Sequence, residues 1–351
     1  MPVTLSQAAL HLNARRVAAL AEAAGLSLVV ALKTSFVRPP VLAALRSAVE
    51  APYCIFSTEA LAMLPELARE DLEFVGLAVP RAYADIVPRC RASLHTSPET
   101  IMAAHAAAAS TAMPHGIWLG YRTSDDREGL YPETLLGAIG GYAGLCRAPL
   151  YLAGLLANWG CAVERPPGCS EIDRLLDAAD AFDTATGGTP VSVSVGGSVL
   201  LPALSRVRKR RASIRLRIGE AMMAGTIPGG SGVDIDLERP FSLAAKVVEV
   251  QAVTDRPQWR RVLLDRGTLD LEPGDCQIEG WHGRLIRGST ELTMAELEHA
   301  EGTDMLGRSV TIKLGFKSAV RALGRSPLLR LADDPPVLVA ERGRAARFNR
   351  I

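Results

Sequence analysis

Along roughly the first 225 residues, short apolar runs alternate with longer stretches whose apolar residues recur every three or four positions. The runs at 28–32, 53–56, 74–79, 92–94, 116–121, 150–156, 191–195 and 214–218 predict strands. Between them the periodic stretches 6–25, 39–49, 58–67, 82–87, 98–109, 132–145 and 170–181 predict helices. Pro39-Pro40 opens the second of these, at a first-turn position where the missing N–H costs nothing. A continuous apolar run such as Leu28-Val29-Val30-Ala31-Leu32 suits a parallel strand covered on both faces. About eight such units over this length have the count and spacing of a (β/α)8 barrel. The predicted class is therefore α/β, with an N-terminal TIM-like (β/α)8 barrel over residues 1–230.

After Gly225 the texture changes. Gly229-Gly230-Ser231-Gly232 interrupts the pattern. The runs 244–250, 260–264 and 310–314 then read as strands separated by turns, with little helix between them. Residues 231–351 are expected to form a β-rich C-terminal domain, a small barrel or sandwich.

Composition narrows the function. With 48% hydrophobic and 22% charged residues, the chain has material for a sizeable core. A net charge of +1 gives no electrostatic case for nucleic acid or an anionic membrane. The basic run at 206–211 has no interleaved aromatics and reads as a solvated helix end or loop. No run reaches the roughly 18 apolar residues of a membrane span, and Met1-Pro2-Val3-Thr4 shows no secretory pattern. The six cysteines lack metal or disulfide spacing, which suits a reducing cytoplasm, and nothing proposes a metal site.

Barrel chemistry belongs at the C-terminal ends of the strands. Lys33 closes the first apolar run, and a strand-end lysine either reaches solvent or serves as a nucleophile. Gly196-Gly197-Ser198 and Gly219-Glu220 follow the last two predicted strands, where this architecture holds phosphate, although Gly-Gly-Ser also makes an ordinary turn. Together these loops and the early lysine point to a phosphorylated carbonyl cofactor held as a Schiff base, pyridoxal 5'-phosphate.

Several stretches carry a resemblance over most of the chain: Asn13-Ala14-Arg15-Arg16-Val17, Val29-Val30-Ala31-Leu32-Lys33 and Asp125-Asp126-Arg127-Glu128-Gly129-Leu130-Tyr131-Pro132. Gly197-Ser198 through Leu201-Pro202, Leu216-Arg217-Ile218-Gly219-Glu220-Ala221, Lys313-Leu314-Gly315-Phe316 and Leu323-Gly324-Arg325-Ser326-Pro327 continue it. The chain resembles the alanine racemase superfamily, the fold-type III pyridoxal-phosphate enzymes, and within it the ornithine racemase-like branch.

The resemblance implies that Lys33 forms the Schiff base and serves as one base at Cα. It implies that Arg217 faces the pyridine nitrogen, that Ser198 and the Gly219-Glu220 backbone hold the phosphate, and that Arg127 lies near the ring hydroxyl or substrate carboxylate. A guanidinium keeps its proton, so the ring draws electrons less strongly, which suits a racemase. The chain also departs from the pattern. Val37 stands where alanine racemases carry a tyrosine, and Arg122 stands where an acidic residue is usual. Gly288-Ser289-Thr290-Glu291 replaces a Ser-Ser-Asp-His motif of the branch, and Asn158-Trp159-Gly160-Cys161 matches its counterpart loosely.

Racemisation by two bases needs a proton carrier opposite Lys33. Cys161 is the first candidate, at a predicted strand end and of a type that carries a proton near neutrality once its pKa is lowered, with a small buried hydrophobe as the alternative reading. His282 is the second, and it also reads as an ordinary turn histidine. The expected activity is a cytoplasmic racemase acting on an amino acid, a basic or other non-alanine one, and the resemblance implies a homodimer. The alternatives are a non-catalytic pyridoxal-phosphate carrier and another Cα chemistry, cleavage or dehydration. The roughly 120 residues beyond the barrel oppose the first alternative, since single-domain carriers lack them. The resemblance implies a metal held by histidine and cysteine of the second domain for those chemistries, and the lack of a closely spaced histidine–cysteine pair there opposes the second.

Overall fold

In the computed structural model, residues 2–188, 190–207, 213–229, 235–298, 304–326, 328–332 and 337–338 are described. Eight parallel strands close into a barrel: β2 (Ser27–Leu32), β3 (Tyr53–Ile55), β4 (Leu72–Phe74), β5 (Ala92–His95), β6 (His115–Tyr121), β7 (Leu150–Asn158), β8 (Ser192–Gly196) and β9 (Ile214–Ile218). The closing pair aligns Val29 of β2 with Arg217 of β9. Period-two alternation sorts each strand between two environments. Val30, Leu32, Ile214, Leu216 and Ile218 join the outer core against the helices. Val29, Cys54, Leu94, Trp118 and Leu156 fill the barrel interior. The same alternation points Arg215, Arg217 and Lys33 inward.

A second, mostly antiparallel sheet has nine strands among the described residues, with Val3–Leu5 and Leu328–Leu331 its one parallel pair among them. It contains β1 (Val3–Leu5), β10 (Phe241–Ala252), β11 (Trp259–Leu264), β12 (Cys276–Glu279), β13 (Gly283–Gly288), β14 (Thr293–Glu298), β15 (Ser309–Leu314), β16 (Leu328–Leu331) and β17 (Val337–Leu338). The long strand β10 is its hub, pairing with β1, β11 and β15.

The structure departs from the sequence expectation at four places. Val3–Leu5, placed by sequence in the barrel half, pairs with β10 and β16 of the second sheet. The predicted strand at 74–79 is instead Leu72–Phe74, because at Gly76 a side chain would meet Phe56 O at 2.1 Å as the chain leaves the barrel. The predicted helix 132–145 divides into Pro132–Gly137 and Ile139–Leu145, in a segment carrying glycine at 137, 140, 141 and 144. The second domain also contains a helix, Phe316–Arg325, that buries Ser318, Ala319, Ala322 and Leu323. The basic run at 206–211 and the Gly229-Gly230-Ser231-Gly232 break lie largely outside the described residues.

The two parts are tied together close to Lys33. The short 3-10 turn Thr34–Phe36 follows the lysine, and Phe36 packs on Phe241 and Phe316 at 5.4 and 5.6 Å between ring centroids. Arg38 donates to Leu323 O at 2.9 Å. Buried Asn13, on the helix Gln7–Ala23, donates to Met222 O and Glu238 O and accepts from Glu238 N. It fastens the first helix to the segment joining barrel and sheet.

Candidate functional site

Lys33 leaves β2 at the C-terminal mouth, with Nζ 3.8 Å from the centre of the Phe56 ring. Burial lowers the proton affinity of the amine below its ordinary 10.5; Cys161 opposes the shift and Arg127 adds to it. The ammonium is therefore easier to deprotonate than a surface lysine.

Cys161 follows β7 on the segment Gly160-Cys161-Ala162-Val163. The residue is open to solvent, yet enough protein surrounds the sulfur that burial raises its pKa above 9.0, opposed by Arg127 and Lys33. Amine and thiol thus lie within electrostatic reach of one another, and the thiol is shifted up where the sequence reading expects it lowered, because burial outweighs the pull of Arg127 and Lys33.

Arg217 is buried on β9. Its Nη1 donates to Ser194 Oγ at 2.5 Å, and its Nη2 donates to Ala157 O at 2.9 Å and Asn158 Oδ1 at 2.6 Å. Burial brings the guanidinium down to about 10, which leaves it charged at neutral pH. Asn158 in turn donates through Nδ2 to Glu128, whose carboxylate pairs with Arg127 at 2.6 Å. Below Arg217, Arg215 pairs with Glu73 at 2.6 Å and lies over the Trp118 ring, and Glu73 also takes Arg91 at 2.8 Å.

The structure brings the two predicted phosphate loops together. Ser198 Oγ accepts from Ala221 N at 2.9 Å, which leaves the hydroxyl hydrogen free to donate elsewhere. Gly197 has φ +119°, and a Cβ there would meet Trp159 O at 2.0 Å. A Cβ at Gly219 would meet Ala31 O at 2.5 Å. Only glycine fits these close approaches. The Glu220 side chain turns to Thr226, which donates to it at 2.9 Å, and burial raises its carboxyl to about 7.

His282 lies elsewhere. It is exposed in the turn before β13, with Nδ1 2.6 Å from Glu298 Oε2 and its ring 5.4 Å from that of Trp259. All these partners belong to the second sheet. His95, at the end of β5, faces the helix layer, where it stacks on Tyr83.

Two residues of the mouth were missed by sequence reading. Asn158 joins Arg217 to Glu128, and Asp125 accepts four backbone N–H bonds from residues 160–163. A polar residue ending an apolar strand was the available signal for the first; the second had none beyond its place in an acidic loop.

No family model matches the chain, and no curated protein sequence is similar to it. Solved structures are similar over nearly the whole length. The D-threo-3-hydroxyaspartate dehydratase from Delftia sp. HT23 superposes with a TM-score of 0.70 at 19% identity, covering 96% of this chain and 95% of that one. The D-threonine aldolase from Filomicrobium marinum gives 0.71 at 15% identity, covering 93% and 90%. The alanine racemase from Streptomyces coelicolor A3(2) gives 0.70 at 16% identity, covering 95% and 98%. The chain shares the fold of these three enzymes. The likeness reaches the fold and does not single out a branch.

Proposed function

We propose that this protein, built on the alanine racemase fold, is an amino-acid racemase that uses pyridoxal 5'-phosphate. Lys33 and Cys161 would carry the proton on opposite faces of the substrate Cα. The observation that carries the reading is the placement of Lys33 at the end of β2 and Cys161 on the loop after β7, at one barrel mouth and within electrostatic reach of each other.

The residues at the mouth fit the cofactor. A desolvated amine, a free hydroxyl hydrogen on Ser198, two loops that tolerate only glycine and a fixed guanidinium form a donor set for a phosphorylated aldehyde. Ser198 and the Gly219-Glu220 backbone would hold the phosphate, Arg217 the ring nitrogen, and Arg127 the ring hydroxyl or the substrate carboxylate. When bound, the cofactor supplies a carbonyl for the amine and a conjugated ring that accepts electron density from Cα.

The chain's own groups do the rest. Lys33 would take the proton on its face and Cys161 would return one on the other. Arg217 offers only donors, so it hydrogen-bonds a ring nitrogen without protonating it. By leaving that nitrogen unprotonated, Arg217 would favour return of the proton over loss of a side-chain group.

The competing reading is cleavage or dehydration at Cβ, supported by the aldolase and dehydratase that share the fold. A carrier without turnover is opposed by the second sheet packed beside the Lys33 turn. Exposed Leu77 and Val79 on the loop after β4, with Tyr131 and helical Leu136 after β6, support a homodimer that covers the mouth. Free cysteines support a reducing cytoplasm, and no described helix is long and apolar enough to cross a membrane.

The test is to titrate the protein with pyridoxal 5'-phosphate and incubate it with a panel of L-amino acids. A yellow absorbance band absent from Lys33→Ala, with D-enantiomer as product, is expected. A colourless wild type, or an aldehyde or keto acid as the product, would overturn the reading.

A further inference from the structure

Asp125 is buried at the mouth, and the proposed chemistry leaves it without a task. Its Oδ1 accepts from Gly160 N at 3.1 Å and Val163 N at 3.0 Å. Its Oδ2 accepts from Cys161 N at 3.0 Å and Ala162 N at 3.1 Å. Four consecutive amides therefore converge on one carboxylate, a concave array that favours an anion. An ionised carboxylate offers about four acceptor sites, so the loop leaves Asp125 little capacity to bind substrate.

The loop cannot reach this shape unaided. Gly160 sits at φ +79°, and a Cβ there would meet Val199 Cγ1 at 2.6 Å. Asp125 is itself held from below: its N–H donates to Thr123 Oγ1 at 3.2 Å, and that hydroxyl donates to Asn158 O at 2.5 Å. The neighbouring Glu128 accepts from Asn158, the partner of Arg217.

We infer that Asp125 is the positioning residue for the second proton carrier: its carboxylate shapes the backbone of residues 160–163 so that Cys161 is presented to the substrate Cα. The inference rests on the racemase reading for the role of Cys161, but not for the shape of the loop. A carboxylate serving four amides is a stiff support, because each charge-assisted bond is stronger than a neutral one. The chemistry on the Lys33 face does not pass through it.

The experiment compares the full-length wild type with Asp125→Asn and Asp125→Glu. The asparagine keeps one oxygen and turns an NH2 group toward two of the four amides. Amide hydrogen exchange, read without substrate, is expected to show residues 160–163 protected in the wild type and at least about tenfold faster in Asp125→Asn, with β7 unchanged. Wild-type amides at 160–163 that exchange at open-loop rates would overturn the inference, whether or not either variant folds. In cofactor-loaded protein with amino acid in D2O, Asp125→Asn is expected to lose about tenfold in inversion while keeping deuterium incorporation without inversion. An equal loss of both in a folded variant would overturn it. Protected amides with no isotope exchange from any amino acid would overturn the racemase reading instead.

Discussion

Asn158 Oδ1 accepts a 2.6 Å hydrogen bond from Arg217 Nη2, and through its other amide atom Asn158 donates to Glu128. One side chain thus sets the plane of the buried guanidinium and links it to the loop bearing Arg127. Asn158→Ala leaves the guanidinium with only Ser194 and Ala157 O. The expected outcome is a fall in kcat of about tenfold to a hundredfold with cofactor affinity little changed, because phosphate is gripped elsewhere. Steady-state kinetics with a cofactor titration check this, and an unchanged kcat would contradict it.

Glu73 is the floor of the barrel interior. It is almost wholly buried and neutralises Arg215 and Arg91. Glu73→Ala leaves the partly buried Arg215 guanidinium without its carboxylate, so a loss of about 2–3 kcal/mol is expected in denaturant unfolding. A loss well below 1 kcal/mol would mean that water reaches Arg215 and the pair is not buried in effect.

Two histidines on the outer face of the barrel make stability depend on pH. Ser93 Oγ lies 2.8 Å from His95 Nε2 and 2.7 Å from His115 Nε2. Burial lowers His95 to about 3 and His115 to about 4, both from 6.5. Because these folded values are depressed, the unfolded chain takes up protons first as pH falls. The contribution is whole above pH 6.5 and is lost toward pH 4 and then pH 3. The slope is up to about 1.4 kcal/mol per pH unit for each histidine. Thermal unfolding is expected to show Tm falling from pH 7 to pH 5, with a shallower fall in His115→Gln. An equal Tm at the two pH values would contradict this.

Much of this was legible in the sequence where a regular period carried it. Lys33 stood out because a covered strand shows an unbroken apolar run, and a lysine ended it. Arg217 stood out through the resemblance carried by Leu216-Arg217-Ile218-Gly219-Glu220-Ala221, at the end of a predicted strand. Asp125 and Asn158 were not legible. Their roles depend on bonds to loop amides and to side chains 30 to 59 positions away, which leave no local pattern. Val3–Leu5 was too short to carry a period, and its partners lie beyond residue 240. The helix Phe316–Arg325 was lost because its apolar face is built from small residues, Ser318, Ala319 and Ala322. His282 drew attention as a histidine near glycines, but the sheet directs it to Glu298.

The claim at the centre is that Lys33 and Cys161 serve opposite faces of one carbon. It is tested most directly by following Cα deuterium incorporation and enantiomer inversion together, in D2O, for cofactor-loaded wild type and Cys161→Ala. Both are expected in the wild type. In Cys161→Ala, deuterium is expected to enter the enantiomer whose proton faces Lys33, with inversion lost by about a hundredfold or more. Inversion at the wild-type rate in Cys161→Ala would contradict the account.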